Sequence, residues 1–251
     1  MITLTADLVA AWVVVFCRVG SCLMIMPGFS NSRIPVQARL FLALAVSVAI
    51  SPLVVPGLAI DLVRAGIDGL AILILSEMVF GFLIGLLGRV FFEALQFMAT
   101  AIAALAGVGS MPGAPTIDDE PLPALSSFIM ALATVLFFMT DQHLEVIKGL
   151  LASYGAVPVS TNFQAEASLQ NLLKVFSIAF QLALQVSGPF IVFALIVNFL
   201  FGLMNKMIPQ VAVYFISLPF VIAGGLFLLF AALSQMLLTF LGEFSAWLAL
   251  G

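Results

Sequence analysis

Two charged side chains, Arg18 and Glu77, each lie at the midpoint of a long apolar segment of the sequence. A charge at the centre of a membrane-spanning helix costs about 2.5–3.5 kcal/mol on insertion scales, so we expect both side chains to face protein or water. They either belong to an ion or proton path, or form a structural pair or a contact with a partner subunit. We favour the structural role, because proton-coupled transporters usually need a relay and these are two isolated charges. If the two segments run parallel, the charges lie at similar depth and can pair with each other.

A second group of charges lies within residues 107–123, where the apolar sequence gives way to GVGSMPGAPTIDDEPLP. The four prolines there remove backbone donors, and the glycines accept conformations that other residues avoid, so no stable helix can run through the segment. Asp118, Asp119 and Glu120 are three of the chain's 12 acidic residues. A long irregular loop between membrane-type helices is tolerated only in solvent, against protein or along a watery path. The segment is therefore either a solvated connecting loop or a mobile obstruction in a pore.

The remaining reactive side chains do not form a site for catalysis or for a metal. Cys17 and Cys22 are five residues apart in one predicted helix, which places them on different faces and beyond the reach of a disulfide. The single histidine, His143, cannot assemble a metal site alone. The sequence contains no Ser/His/Asp set, Gly-rich phosphate loop or CxxC pair. We expect neither an enzyme nor a bound cofactor or metal.

The composition places these residues in a membrane protein. Of 251 residues, 64% are hydrophobic and only 8% are charged, and the mean hydropathy is +1.29. Soluble domains carry about 25% charged residues, and this chain could not cover a water-exposed surface with so few. The net charge of −4 and the scattered basic residues argue against nucleic-acid binding and against an anionic-lipid site. The chain is predicted to be one all-α bundle in contact with membrane lipid.

Seven apolar runs are the candidate helices of this bundle, and about 20 residues are needed to cross a bilayer. Asp61, Arg64 and Asp68 predict a short polar connection between the second and third runs, and residues 141–148 predict a polar segment after the fifth. Pro189 and Pro219 are expected to kink the last two helices. The runs are 8–27, 40–60, 66–88, 90–106, 125–140, 172–205 and 211–241.

The basic residues of the turns pose a problem of topology. Arg33 and Arg39 mark one turn as cytoplasmic, and Lys206 marks another. An even number of crossings must then separate the two turns, but five apolar runs lie between them. We expect that run 125–140 does not cross, because it is short and follows the irregular loop.

Small residues at four-residue spacing predict close packing between helices. Gly81 and Gly85 form one such pattern, and Ala99, Ala103 and Gly107 form another. Both patterns are common in apolar helices, so they indicate packing and not a specific function. The 24 phenylalanines are mostly expected to pack against lipid or helices, although some could line a dry constriction.

Four stretches of the chain together resemble the FliR family, the R subunits of the flagellar type III protein export gate, which are related to the T subunits of injectisomes. In chain order the stretches are MPGFSNSRIPVQARLFLALAVSVAISP, EMVFGFLIG, FFMTDQHLEVIKGLLASYGAVP and NKMIPQVAVYFISLPF. Their order and spacing over almost the whole chain carry the resemblance more than any one stretch does. One departure is Asp141–Gln142 before His143, where relatives often have Asn-Gly.

The resemblance implies one FliR-type domain over residues 1–251, built from long apolar helical hairpins. Residues 1–168, including the 107–123 loop, would be similar to a P subunit, and residues 169–251 to the hairpin of a Q subunit. One copy would close a ring of FliP and FliQ subunits, with FlhB nearby, in the bacterial inner membrane at the flagellar basal body. The helices of that assembly lie largely above the membrane plane, which would explain the odd number of apolar runs.

The resemblance also implies roles for particular residues. The loop is similar to the family's plug, which would place Gly107, Gly109, Met111, Pro112, Asp118, Asp119, Glu120 and Pro121 in the closed pore. In a Q-like hairpin the cytoplasmic tip would be Asn205, Lys206, Pro209 and Gln210. Arg18 and Glu77 would be buried charges, and Gly81 and Gly85 helix-packing residues.

The function expected from this resemblance is that of a non-enzymatic pore subunit, which passes unfolded flagellar proteins across the inner membrane. One alternative is a secondary transporter or ion channel that acts alone. A second is a scaffold that holds a membrane complex together, and a third is an export-gate subunit of an injectisome. Co-isolation with P- and Q-type subunits would distinguish the first function from a lone transporter, which would conduct solutes or ions by itself.

Overall fold

The computed structural model is all-α and describes residues 2–30, 34–110, 113, 122–157, 165–208 and 213–249. Its six helices are α1 (Ile2–Ile25), α2 (Val36–Leu105), α3 (Ala124–Met139), α4 (Gln142–Ala156), α5 (Ala165–Met207) and α6 (Val213–Ala249). Five segments within them are long and apolar enough to cross a membrane: Leu8–Ile25, Val36–Val55, Gly69–Leu105, Leu169–Met207 and Phe215–Ala249. The predicted class, an all-α membrane protein, is confirmed.

Helix α2 corrects two predictions. Residues 61–68 do not form a connection, since the backbone stays helical from Val36 to Leu105, and the runs 66–88 and 90–106 belong to the same helix. The charges at 61, 64 and 68 are spaced by three and four residues, which is also the spacing of one helical face. The spacing of these charges fits a helix, whereas their presence alone was wrongly taken as the sign of a connection.

Helix α4 contains most of the predicted polar segment 141–148. Only Thr140 and Asp141 separate α3 from α4, and Asp141 adopts a left-handed conformation with φ 56°. Asn and Gly tolerate this conformation best, and Asp shares some of that tolerance. The polar residues of this segment include Glu145 and Lys148, which form an exposed ion pair of 2.7 Å along the helix.

These corrections change the number of candidate membrane spans between the two basic turns. Three of the long apolar segments lie between residues 39 and 206, because two of the predicted runs merge into Gly69–Leu105. Helices α3 and α4 pass the same test only when taken together. The number of candidate spans is therefore three without this pair and four with it. These spans are defined by length and composition, so our expectation that run 125–140 does not cross remains a prediction.

Packing divides the chain into two compact units. Unit 1 contains Met1–Phe91, Thr140–Phe176 and Phe244–Gly251, and unit 2 contains Phe92–Met139 and Ser177–Glu243. Each unit has an aromatic cluster in its core. In unit 1 the ring of Phe91 lies 5.6 Å from Phe244 and 5.4 Å from Trp247, and in unit 2 Phe92 lies 5.8 Å from Phe137 and 5.3 Å from Phe240. Such contacts contribute about 0.5–1.5 kcal/mol beyond simple burial.

Much of α5 and α6 is apolar and open in the single chain. In an apolar 18-residue stretch of each helix, only 17% of the residues of α5 and 11% of those of α6 are buried. Phe227 and Phe230 of α6, for example, are 74% and 84% exposed. Apolar surfaces of this extent are stable only against lipid or another protein.

Candidate functional site

The candidate plug loop begins at a glycine that ends α2. Gly107 has φ 75°, and its N–H donates to the carbonyl of Ala104 at 3.1 Å, while the N–H of Val108 donates to Ala103 at 3.0 Å. This pair of hydrogen bonds is a Schellman motif, in which a left-handed glycine satisfies the last carbonyls of a helix. Val108 is buried against Ala103 and Ala106. The first residues of the loop are thus fixed to the end of α2.

Helix α6 approaches the same point closely. A Cβ atom placed on Gly225 would lie 2.6 Å from the Cβ and 2.8 Å from the Cα of Ala106, closer than real Cβ contacts allow. A Cβ on Gly107 would lie 3.3 Å from Val221. The absence of a side chain at Gly225 therefore lets α6 pack directly on the end of α2, within unit 2.

The far end of the loop is held by a contact that we call the Gly113 clasp, formed by Gly113, Leu122, Ala124 and Ser127. The N–H of Gly113 donates to the carbonyl oxygen of Leu122 at 2.8 Å, and the Leu122 side chain is buried. A Cβ on Gly113 would lie 2.7 Å from that oxygen and 2.8 Å from the Cα of Ala124. Both are backbone atoms that cannot rotate away, so only glycine fits here.

A partly buried hydrogen bond joins the helices on either side of the loop. Thr100 of α2 donates its hydroxyl proton to the carbonyl of Gln96 at 2.8 Å, so in its 3.0 Å contact with Ser126 of α3 it must accept. Ser126 is completely buried. The contact joins the end of α2 to the start of α3 independently of the conformation of the loop.

Six of the eight predicted plug residues lie outside the described residues. Gly107 and Gly109 are described, and Gly109 follows the Schellman motif in a turn. The other six are Met111, Pro112, Asp118, Asp119, Glu120 and Pro121. The position of the acidic triplet remains a prediction.

The two mid-helix charges lie together in unit 1. Nε and Nη2 of Arg18 donate to Oε2 and Oε1 of Glu77, each at 2.6 Å, and both side chains are completely buried. Paired, two-point hydrogen bonding of this kind is the strongest arrangement available to a guanidinium and a carboxylate. Because both carboxylate oxygens are engaged, the geometry favours a structural pair over a proton path.

Glycines bring the backbones of α1 and α2 close enough for this pair to form. A Cβ on Gly81 would overlap the carbonyl oxygen of Arg18, and one on Gly85 would lie 2.7 Å from the carbonyl oxygen of Cys22. Gly88 continues the same ridge against Met26. Glu77 lies one turn before Gly81 on the same face of α2. The sequence analysis missed Gly88, although its position three residues after Gly85 was a usable signal.

The predicted hairpin tip is described in part. Asn205 and Lys206 are exposed in the last turn of α5, where a basic residue interacts favourably with the helix dipole. Pro209 and Gln210 lie outside the described residues. The side of the membrane that the tip faces remains a prediction.

With this geometry in place, the chain can be compared with known proteins. The family model described as "Bacterial export proteins, family 1" matches residues 9–247. The chain belongs to this family. The match covers both units, and therefore the loop, the buried charges and the hairpin.

Relatives from several bacteria match along most of their length. The flagellar biosynthetic protein FliR of Caulobacter vibrioides is 29% identical over 234 residues, which cover 92% of this chain and 91% of the relative. The protein of the same name from Aquifex aeolicus is also 29% identical, over 91% of this chain and 87% of the relative. That of Escherichia coli is 23% identical over 96% of this chain and 92% of the relative.

Proposed function

We propose that this member of the bacterial export family is a pore subunit of the flagellar type III export gate, through which unfolded flagellar proteins cross the inner membrane. The flagellar branch, and not an injectisome, is supported by the relatives, which carry the name flagellar biosynthetic protein FliR. The proposed role is binding and passage of polypeptide, without enzymatic chemistry or a cofactor.

The observation that carries the proposal is the way the 107–123 loop is attached. Its start is fixed by the Schellman motif at Gly107, and its end by the Gly113 clasp. Between the clasp residues Gly113 and Leu122 lie eight residues that include the acidic triplet. A polypeptide gate needs a segment with firm attachments and weak contacts, so that it can be displaced without unfolding the helices around it.

The open apolar faces of α5 and α6 support assembly with further subunits. By resemblance these are FliP and FliQ, with FlhB beside them, at the flagellar basal body. In the same proposal residues 1–168 take the place of a P subunit and residues 169–251 that of a Q subunit. The remainder of the exposed apolar surface would contact lipid.

Replacement of residues 110–120 by a short Gly-Ser linker tests the proposal. The Thr100–Ser126 hydrogen bond and the Schellman motif at Gly107 remain, so we expect a complete complex that leaks small ions or solutes. The measurement is ion or solute entry into cells, together with co-isolation of the P- and Q-type subunits.

The other outcomes have definite meanings. A complete complex that does not leak would make the segment a solvated connecting loop. Failure to assemble would make it a structural strut. A matched control replaces only Lys148 and Glu145, an exposed pair in unit 1, by glutamine, and should leave both measurements unchanged.

A further inference from the structure

Arg18 makes contacts that its pairing with Glu77 does not require. Nη1 donates to the hydroxyl of Ser153 at 3.2 Å, and Nη2 donates to the backbone carbonyl of Val157 at 3.2 Å. The ring of Tyr154 lies against the guanidinium, 4.0 Å from its central carbon. All three partners are at the C-terminal end of α4, within unit 1.

The end of a helix needs such partners. The last carbonyls of an α-helix have no intrahelical donor, and they carry about half a negative charge in total. Val157 is the C-cap residue of α4, and its own N–H donates to the carbonyl of Ser153 at 2.9 Å. The last turn of α4 contains no basic residue of its own. Arg18, 139 positions away in the sequence, supplies the missing cation.

The guanidinium is used almost completely. Four of its five N–H groups donate: two to Glu77, one to Ser153 and one to Val157. Ser153 donates its own proton to the carbonyl of Leu150 at 2.6 Å, so it can only accept from Arg18. A lysine could not reproduce this set, because an ammonium has neither the planar fork nor the face that stacks on Tyr154.

We propose that Arg18 is a positioning residue for α4: the same guanidinium that pairs with Glu77 also caps the C-terminal end of α4. The inference concerns unit 1 alone and does not rest on the proposed export function. The cap makes the structural roles of Arg18 and Glu77 unequal. Loss of Glu77 leaves the cap in place, whereas loss of Arg18 removes the pair and the cap together.

Hydrogen–deuterium exchange of the full-length chain, purified from membranes in detergent, tests the proposal. The variants are Glu77→Leu and the double change Arg18→Leu with Glu77→Leu, in which no charge is stranded. We expect the amides of residues 153–157 to exchange about tenfold faster in the double variant than in Glu77→Leu, as for the loss of one hydrogen bond to a charged group. Amides of residues 146–149 serve as an internal reference in the same helix.

Two further variants separate the cap from a general loosening of unit 1. Arg18→Lys keeps the positive charge but lacks the planar, forked guanidinium. The amides of residues 153–157 should therefore still exchange faster than in the parent. Glu145→Gln breaks only the exposed ion pair of α4 and should leave those amides protected. Equal protection of residues 153–157 in Glu77→Leu and in the double variant, or full protection in Arg18→Lys, would overturn the proposal.

Discussion

Replacement of Gly113 by alanine perturbs the attachment of the loop by a single methyl group. The added Cβ would lie 2.7 Å from the Leu122 carbonyl oxygen and 2.8 Å from the Cα of Ala124, against an ordinary contact of 3.4 Å or more. The backbone must therefore move by about 0.6–0.7 Å, which stretches the 2.8 Å hydrogen bond between Gly113 and Leu122 beyond the usual range of about 2.7–3.2 Å. The bond contributes about 0.5–1.5 kcal/mol, and forced overpacking costs about 1–3 kcal/mol.

The expected cost is thus about 1.5–4.5 kcal/mol, confined to the clasp. We expect Gly113→Ala to assemble normally and to leak ions in the resting state, because one attachment of the loop is released while the Schellman motif at Gly107 stays. Gly155→Ala is the matched control, since Gly155 is exposed on α4 and a Cβ there meets nothing within 4 Å. If Gly113→Ala admits no more ions than the parent protein while the Gly-Ser linker variant leaks, the clasp does not hold the loop. If Gly113→Ala fails to assemble, the clasp is part of the folding core instead.

Two further predictions concern the buried charges and the hairpin tip. Removal of one partner of a buried pair commonly costs about 3–5 kcal/mol, so Arg18→Leu and Glu77→Leu should each reduce the yield of assembled complex more than the double change does. A double variant as poor as the sum of the single variants would mean that the two charges do not compensate each other. A cysteine at Lys206 should react with an impermeant thiol reagent only from the cytoplasmic side, and labelling from the periplasm of intact cells would reverse the proposed topology.

The membrane class could be predicted from the sequence, and so could the positions that need burial against protein or close helix packing. A charge in the middle of an apolar run has few stable environments, and this singled out Arg18 and Glu77. The spacing of Gly81 and Gly85 predicted close helix packing there, and the structure shows that α1 is the helix that packs on them. The cost of a charge in an apolar helix and the close approach that small residues allow are both set locally, whatever the rest of the fold is.

Other features depend on contacts that local patterns do not contain. The continuity of α2 through residues 61–68 was missed because charge was taken as a sign of a turn, although the spacing also fits a helix. The contacts of Arg18 with Ser153 and Val157 join segments more than 130 positions apart. Ser153 is an ordinary serine in the sequence, and only the packing of α4 brings it to the guanidinium. The Gly113 clasp was likewise hidden in a segment whose glycines all looked equivalent.

Passage of polypeptide past the loop is the central claim, and cross-linking to a trapped substrate tests it most directly. A photo-reactive amino acid at Ser110, which is exposed at the start of the loop, should cross-link to a flagellar protein whose export is stalled by a tightly folded C-terminal fusion. The same probe at Lys148, exposed on α4, is the control and should not cross-link to it. A cross-link at Ser110 that depends on the stalled substrate is the predicted result. The absence of a substrate cross-link at Ser110, in a complex that is assembled and competent for export, would contradict the proposed pore.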